Sequence, residues 1–177
     1  MEPVTIRRLL VAMAALLLSP AVVGAGADVN EVVAVPPVDA PAQVGNLQAV
    51  RLWSTCVDRL NGVRAAAGRS PLGIDLRMAT AANAQSRYQA QQQKMSHVGS
   101  NGSNAGLRLT AAGYPWSVWG ENVAAGQADC DTVLDAWLGS APHRANILNT
   151  TFDSIGIGMA LGANGVPYWT MDLAAGV

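Results

Sequence analysis

Apolar residues in the first part of the chain recur three or four positions apart, which is the spacing of helices with one buried stripe. Gly68 is placed to end the first helix, and Asp75 is placed to cap the second. The four helices predicted in this way cover residues 47–68, 76–93, 104–112 and 131–139.

The C-terminal part changes from a helical pattern to an alternation of period two. Small residues there are interleaved with Ile155, Ile157, Met159 and Leu161, as in a strand. A second strand is predicted over 168–174, and Asn164-Gly165 between the two is a pair typical of hairpin turns. Helices followed by an antiparallel hairpin predict an α+β fold.

The N-terminal segment is typical of an export signal. Arg7 and Arg8 precede a short apolar run, and Ala25-Gly26-Ala27 offers small residues for cleavage. We therefore predict a signal peptide over 1–27, a flexible tether rich in proline over 28–45, and one domain over 46–177. The apolar run is too short for a comfortable membrane span, so no transmembrane anchor is expected in the mature chain.

Charge and cysteine content narrow the class of protein further. The chain has 11 Lys and Arg against 12 Asp and Glu, which is a formal net charge of −1. It therefore lacks the excess of positive charge that is typical of nucleic-acid-binding proteins. Cys56 and Cys130 are the only two cysteines, and in an exported chain they are expected to form a disulfide. The alternative is a pair of buried free thiols.

The two histidines of the chain, His97 and His143, each lie in a short polar segment, and Glu121 lies between them in an apolar neighbourhood. Imidazole can change charge near neutral pH or bind a metal. Two histidines and one carboxylate in separate loops are therefore a candidate site. The alternative is that each is an ordinary hydrogen-bonded residue.

Six short segments follow one another in the order Ser96-His97, Ala112-Gly113-Tyr114, Gly120-Glu121-Asn122, Pro142-His143-Arg144, Ile155-Gly156-Ile157-Gly158 and Tyr168-Trp169-Thr170. Their order resembles that in the bacterial, SCP-like branch of the CAP superfamily, which comprises cysteine-rich secretory, antigen 5 and pathogenesis-related 1 proteins. The resemblance runs from about residue 47 to the C-terminus. It implies a three-layer α-β-α sandwich with a central antiparallel sheet and a polar cleft.

The resemblance also implies which residues line that cleft. His97, Glu121 and His143 match its two histidines and one of its acids, whereas Ser140 stands where eukaryotic members have a second acid. Asp135 is a poor substitute, because a helix would place it on the solvent side. Asn122, Arg144 and Asn146 occur in the same motifs and are taken as residues that support the cleft.

For function, the resemblance implies a secreted, extracellular binding or interaction module, for which we expect a monomer. The expected ligands are a lipid or other small amphipathic molecule, a cell-surface or host partner, or a divalent metal such as zinc. Zinc would be held weakly by His97 and His143, because Ser140 adds no charge. Trp116 and Trp119 would suit an amphipathic ligand, with core packing as the alternative. A metal-dependent, protease-like hydrolase using the same cleft is the alternative function, and no catalytic residue is assigned.

Overall fold

The computed structural model describes residues 40–177, with side chains from Trp53 onward. The predicted signal peptide and most of the predicted tether lie outside the described residues. The first helix begins at Ala40, so residues 40–45, the end of the predicted tether, are helical in the structure. Pro41 fits this start because a proline in the first turn of a helix needs no N–H partner.

Five helices follow one another through the described residues, and four of them confirm the predicted helices. Asp75 caps α2 by accepting hydrogen bonds from the backbone N–H groups of Arg77 and Met78, as expected. The fifth helix was not predicted, because it is short and has Pro142 in its first turn. The helices are α1 Ala40–Ala66, α2 Leu76–Gln92, α3 Ala105–Ala111, α4 Cys130–Gly139 and α5 Ala141–Ile147.

Four strands form one sheet in the order β1-β3-β4-β2. The predicted hairpin is confirmed, since β3 and β4 pair antiparallel. The long strand β2, which pairs antiparallel with β4, was not predicted: residues 121–124 are all buried, so the strand lacks an alternating pattern. The strands are β1 Gly73–Ile74, β2 Trp116–Ala125, β3 Ser154–Leu161 and β4 Pro167–Gly176.

The sheet lies between two helical layers. Ile155, Ile157 and Met171 on one face pack with residues of α1, α4 and α5 in the larger core. The other face lies against α2 and α3, and a Cβ added to Gly156 or Gly158 would fall within 2.4 Å of the α2 backbone. Glycine at these two positions lets α2 lie directly on the sheet. The α+β, three-layer prediction is confirmed; the short β1, parallel to β3, is the exception to the antiparallel order.

A disulfide joins Cys56 in α1 to Cys130 at the start of α4, as predicted. The same two helices are linked by Arg59, which donates a hydrogen bond of 2.6 Å to the exposed carboxylate of Asp135. Asp135 therefore faces solvent, as expected. None of the helices within residues 40–177 has the length and apolar character needed to cross a membrane.

Candidate functional site

The loop that carries His97 is held in place by two buried glutamines of α2. Gln85 donates from Nε2 to the carbonyl oxygen of Ser96 at 2.6 Å, and the Oε1 of Gln89 accepts from the Ser96 N–H at 3.2 Å. Gln89 is itself anchored on the sheet through the hydroxyl of Thr170, at 2.9 Å. The helix and the sheet together therefore fix the backbone next to His97.

Glu121 lies in the strand β2, and its side chain is only 2% exposed. One carboxylate oxygen, Oε1, is 2.8 Å from Nδ1 of His97. The other, Oε2, accepts a hydrogen bond from the guanidinium of Arg108 in α3. Both oxygens of the carboxylate thus have a partner that carries or can carry a positive charge.

Arg108 also ties the neighbouring backbone together. Its Nη1 donates to the carbonyl oxygens of His97, at 3.3 Å, and Ser103, at 2.8 Å. Sequence reasoning did not identify Arg108, because on a short helix a lone arginine has the pattern of a solvated residue. In the structure this side chain is 8% exposed and is the buried counter-charge of Glu121.

His143 lies in α5, and two asparagines join this helix to β2. Asn122 is fully buried and donates from Nδ2 to the carbonyl oxygen of His143 at 3.1 Å. Asn146 donates to Oδ1 of Asn122 at 2.9 Å. Both asparagines therefore position the segment that carries His143.

The placement of the remaining predicted residues differs in part from expectation. Glu121 is in a strand and His143 is in a helix, whereas both were expected in loops, because neither β2 nor α5 was predicted. Ser140 is half-buried at the junction of α4 and α5, and its side chain does not cap α5. Arg144 is exposed and donates to the carbonyl oxygen of Leu138 in α4, so its observed contact is with that junction and not with Glu121.

A second acid, Asp172, lies beside Glu121 and was also missed. The two residues are register partners on β4 and β2, and Asp172 is fully buried. Burial raises the pKa of its carboxyl well above the usual value, and the charge of Glu121 raises it further, while Arg108 acts in the opposite direction. Asp172 therefore favours its neutral form. The sequence contained one signal that could have identified Asp172: it is the single acid among the apolar residues of the predicted strand 168–174.

The two imidazoles differ in the protonation state that their surroundings favour. The hydrogen bond with Glu121 raises the pKa of His97 above its usual value. Burial lowers the pKa of His143, and the nearby charge of His97 lowers it further. The site therefore combines a histidine that favours the charged form with one that favours the neutral form.

A resident metal fits this donor set poorly. A catalytic zinc usually has three protein ligands, and Glu121, the third candidate beside His97 and His143, already has both oxygens engaged. Residues 40–177 contain no group of three or more His, Cys, Asp or Glu side chains arranged to hold a metal ion. Weak binding by the two histidines stays a prediction.

Trp116 and Trp119 are half-buried and pack against α3. Their rings meet edge to face with centroids 6.4 Å apart, and Nε1 of Trp116 donates to the carbonyl oxygen of Gly106 at 2.9 Å. Both contact the smaller core cluster that contains Leu109. Core packing, the alternative to a role in ligand binding, thus accounts for the positions of these two side chains.

Comparisons with known proteins agree with this architecture. The sequence model of the CAP, or cysteine-rich secretory protein, family matches residues 57–173. An uncharacterized protein of Bacillus subtilis (strain 168), YkwD, is 32% identical over 102 residues, which are 58% of this chain and 40% of YkwD. This chain thus spans less than half the length of that relative.

Solved structures of other proteins have a similar fold. An extracellular protein containing an SCP domain from Bacillus anthracis str. Ames is 26% identical with a TM-score of 0.62, over 68% of this chain and 39% of that one. An outer surface protein from Borrelia burgdorferi is 17% identical with a TM-score of 0.66, over 72% of this chain and 94% of that one. At 17% identity, the second similarity shows the fold alone.

Proposed function

Because the chain belongs to the CAP, or cysteine-rich secretory protein, family, we propose that it is a secreted binding module that recognises its partner through the cleft of His97, Glu121 and His143. The predicted signal peptide over 1–27 supports export. The description of the Bacillus anthracis relative as extracellular supports the same location.

The observation that carries this proposal is the engagement of both Glu121 oxygens. A buried carboxylate bonded to His97 and Arg108 stabilises a charged imidazole, and the His97 side chain is 60% exposed. When His97 is protonated, which the hydrogen bond to Glu121 favours, the accessible part of the cleft is a cationic hydrogen-bond donor. Such a group suits a carboxylate or phosphate on an amphipathic molecule or on a cell surface.

The protonation state of His143 also bears on the choice of ligand. Its pKa is lowered, so near neutral pH it favours the neutral imidazole, which offers one donor and one acceptor. A charged His97 beside a neutral His143 can bind an anionic group together with a neighbouring hydroxyl or amide. This pairing favours an anionic amphiphile among the expected ligands.

The alternative function, metal-dependent hydrolysis, has less support from the same geometry. A general base must be free to take a proton, and Glu121 is buried with both oxygens engaged. Asp172 favours its neutral form and is fully buried. We therefore give priority to binding over catalysis.

Octanoate is a suitable probe because it joins a carboxylate to a short apolar chain. In NMR titrations near pH 6, it should shift the ring signals of both histidines, and His97→Gln should weaken binding by about tenfold, or ~1.4 kcal/mol. Lys94→Gln is the matched control, since it removes an exposed positive charge three residues away and should leave binding unchanged. Equal affinity in wild type and His97→Gln would refute the proposal. Zinc-dependent hydrolysis that is lost in His97→Ala would favour the alternative.

A further inference from the structure

β2 is an edge strand: within residues 40–177 it pairs with β4 on one side and with no strand on the other. In an antiparallel pair, the N–H and C=O groups of successive residues point alternately towards the partner strand and away from it. Gly126, directly after β2, donates its N–H to the carbonyl oxygen of Pro167 in β4. By this alternation, Gly120 and Asn122 bond to β4, and the backbone groups of the odd-numbered residues between 119 and 125 point outward.

Two contacts made by side chains agree with this outward direction. The carbonyl oxygen of Val123 accepts from Nε1 of Trp137 at 3.1 Å, and that of Glu121 accepts from Nδ2 of Asn146 at 3.4 Å. The helices α4 and α5 therefore already bond to the outer side of the C-terminal half of β2. The outward N–H and C=O of Trp119 and the outward N–H of Glu121 form no hydrogen bond of this kind within the described residues.

The backbone at these unpaired groups is accessible. Gly120 is partly exposed, and because glycine has no side chain, this exposed surface is backbone. Glu121 is 7% exposed as a whole residue, whereas its side chain is only 2% exposed, so its exposed surface is mainly backbone too. Before these residues, a bulge between Trp116 and Val118 interrupts the regular strand. The accessible, unpaired part of β2 is therefore the short stretch 119–121, which we call the open edge.

The two histidines of the cleft belong to segments on opposite faces of the open edge. Side chains of successive strand residues point to opposite faces of a sheet. The side chain of Glu121 bonds to His97 on the face covered by α3, and the side chain of Asn122 bonds to the carbonyl oxygen of His143 on the other face. A single extended chain can lie between these two segments. The sheet of a second copy could not, because helices cover both of its faces and would meet both segments.

We propose that the open edge binds an extended peptide that carries a carboxylate. The peptide adds a short strand to β2, a mode of recognition in which main-chain hydrogen bonds supply affinity. Its N–H donates to the carbonyl oxygen of Trp119, and its carbonyl oxygens accept from the N–H groups of Trp119 and Glu121. Its carboxylate, at the C-terminus or on an acidic side chain, bonds to protonated His97. This inference rests on the proposed function for the carboxylate contact and adds a peptide as the class of partner.

Amide hydrogen exchange on the wild-type protein tests the backbone pairing. In the free protein, the amides of Gly120 and Asn122 should exchange slowly because they bond to β4, and those of Trp119 and Glu121 should exchange fast. The probe is acetyl-Thr-Val-Thr-Val-Thr with a free C-terminal carboxylate. At about ten times its Kd, it should slow exchange at Trp119 and Glu121 by about tenfold. Absence of peptide binding, or binding that leaves both amides fast, would overturn the proposal.

N-methylation of the probe tests the same pairing from the side of the peptide. The N–H groups of an extended peptide alternate in direction, so only one of two alternate sets can face β2. One variant of the probe is methylated at its second and fourth residues, and the other at its first, third and fifth. One of the two should bind about tenfold more weakly than the unmethylated probe, and the other should retain binding. Equal affinities of the two methylated peptides would show that the backbone does not pair.

Two further probes test the carboxylate: the same peptide as a C-terminal amide, and that amide with Asp as its last residue. The amide without an acid should bind about tenfold more weakly than the parent probe. His97→Gln should weaken the binding of the carboxylate probes to this level, and Lys94→Gln, the matched control, should not. Whether the parent probe or the Asp amide binds more tightly distinguishes a C-terminal carboxylate from a side-chain carboxylate.

Octanoate separates this inference from the proposed function, because it has a carboxylate and no peptide backbone. It should leave the amides of Trp119 and Glu121 fast even when it binds at His97. Binding of octanoate without any protection of these amides by the peptide would overturn the inference and leave the proposed function intact. Protected amides with no effect of His97→Gln on any probe would refute the carboxylate contact and the proposed function, and would support the backbone pairing.

Discussion

Glu121 and Asp172 are paired across the antiparallel strands β2 and β4, and both carboxyl groups are buried. Two like charges directly opposite each other in a sheet repel, and burial strengthens the repulsion. The neutral form favoured by Asp172 removes this conflict. Arg108 is then the partner of Glu121 in the interior beneath His97, and Asp172 favours the neutral form beside this ion pair.

This arrangement predicts that Asp172→Asn makes stability less dependent on pH. The unfolded chain has an ordinary aspartate pKa of about 3.9, and the folded pKa is raised. The stabilisation associated with protonated Asp172 is therefore complete below about pH 3.9 and is lost as the pH rises towards the folded pKa. Urea unfolding at several pH values should show wild type losing stability relative to Asp172→Asn as the pH rises.

The matched control for this prediction is Asp58→Asn, which changes an exposed aspartate of α1. Its stability relative to wild type should vary much less over the same pH range. If the difference between Asp172→Asn and wild type were the same at every pH, Asp172 would not be a neutral acid in the folded protein.

The histidine pair predicts two separate titrations. Because the chain contains only two histidines, NMR should show two sets of imidazole signals, with the pKa of His97 above and that of His143 below the usual value of about 6.5. His143→Gln assigns the signals by removing one set. Glu121→Gln should lower the pKa of His97, since the hydrogen bond to Glu121 is the main cause of its shift. Two coincident titration curves would contradict this arrangement.

The sequence was sufficient to predict a helix or strand where one face of that element is buried and the other is exposed. α2 has a capping aspartate and a buried stripe, and the β3–β4 hairpin alternates isoleucine with glycine, so both could be predicted. β2 could not, because helices cover residues 121–124 on both sides and no alternation remains. α5 is too short and too polar for a helical period to be visible.

For the candidate site, the motifs pointed to His97, Glu121 and His143, but they did not point to the charged groups around them. Arg108 in α3 is 11 residues from His97, whereas Asp172 in β4 is distant in sequence from both. Their proximity to Glu121 results from sheet pairing and from the packing of α3 beside β2. A pattern along the chain contains no information on such pairings unless a motif already links them.

The disulfide predicts a clear loss of stability on its removal. The cysteines are 74 residues apart in sequence, and in the chain-entropy model a loop of this size contributes about 4 kcal/mol by restricting the unfolded chain. A Cys56→Ser, Cys130→Ser double variant should therefore unfold at lower urea concentration. Native wild-type protein should contain no thiol that can be alkylated before reduction. Two alkylatable thiols would contradict the pairing.

Zinc titration tests the remaining prediction for the cleft, which is weak binding through the neutral imidazoles. His97→Ala and His143→Ala should each abolish binding in calorimetry. Ser140→Glu should strengthen it, because an added carboxylate near His143 supplies the charge that Ser140 lacks.

The pH dependence of zinc affinity distinguishes histidine ligation from binding elsewhere. Protons compete with zinc for imidazole, so affinity should fall as the pH drops through the histidine range, about 6.5 in model peptides. The fall should begin at a higher pH than for an ordinary histidine, since the hydrogen bond to Glu121 raises the pKa of His97. Zinc binding that survives both alanine substitutions would show that the metal hypothesis is wrong for this cleft, and that its histidines act only through charge and hydrogen bonding.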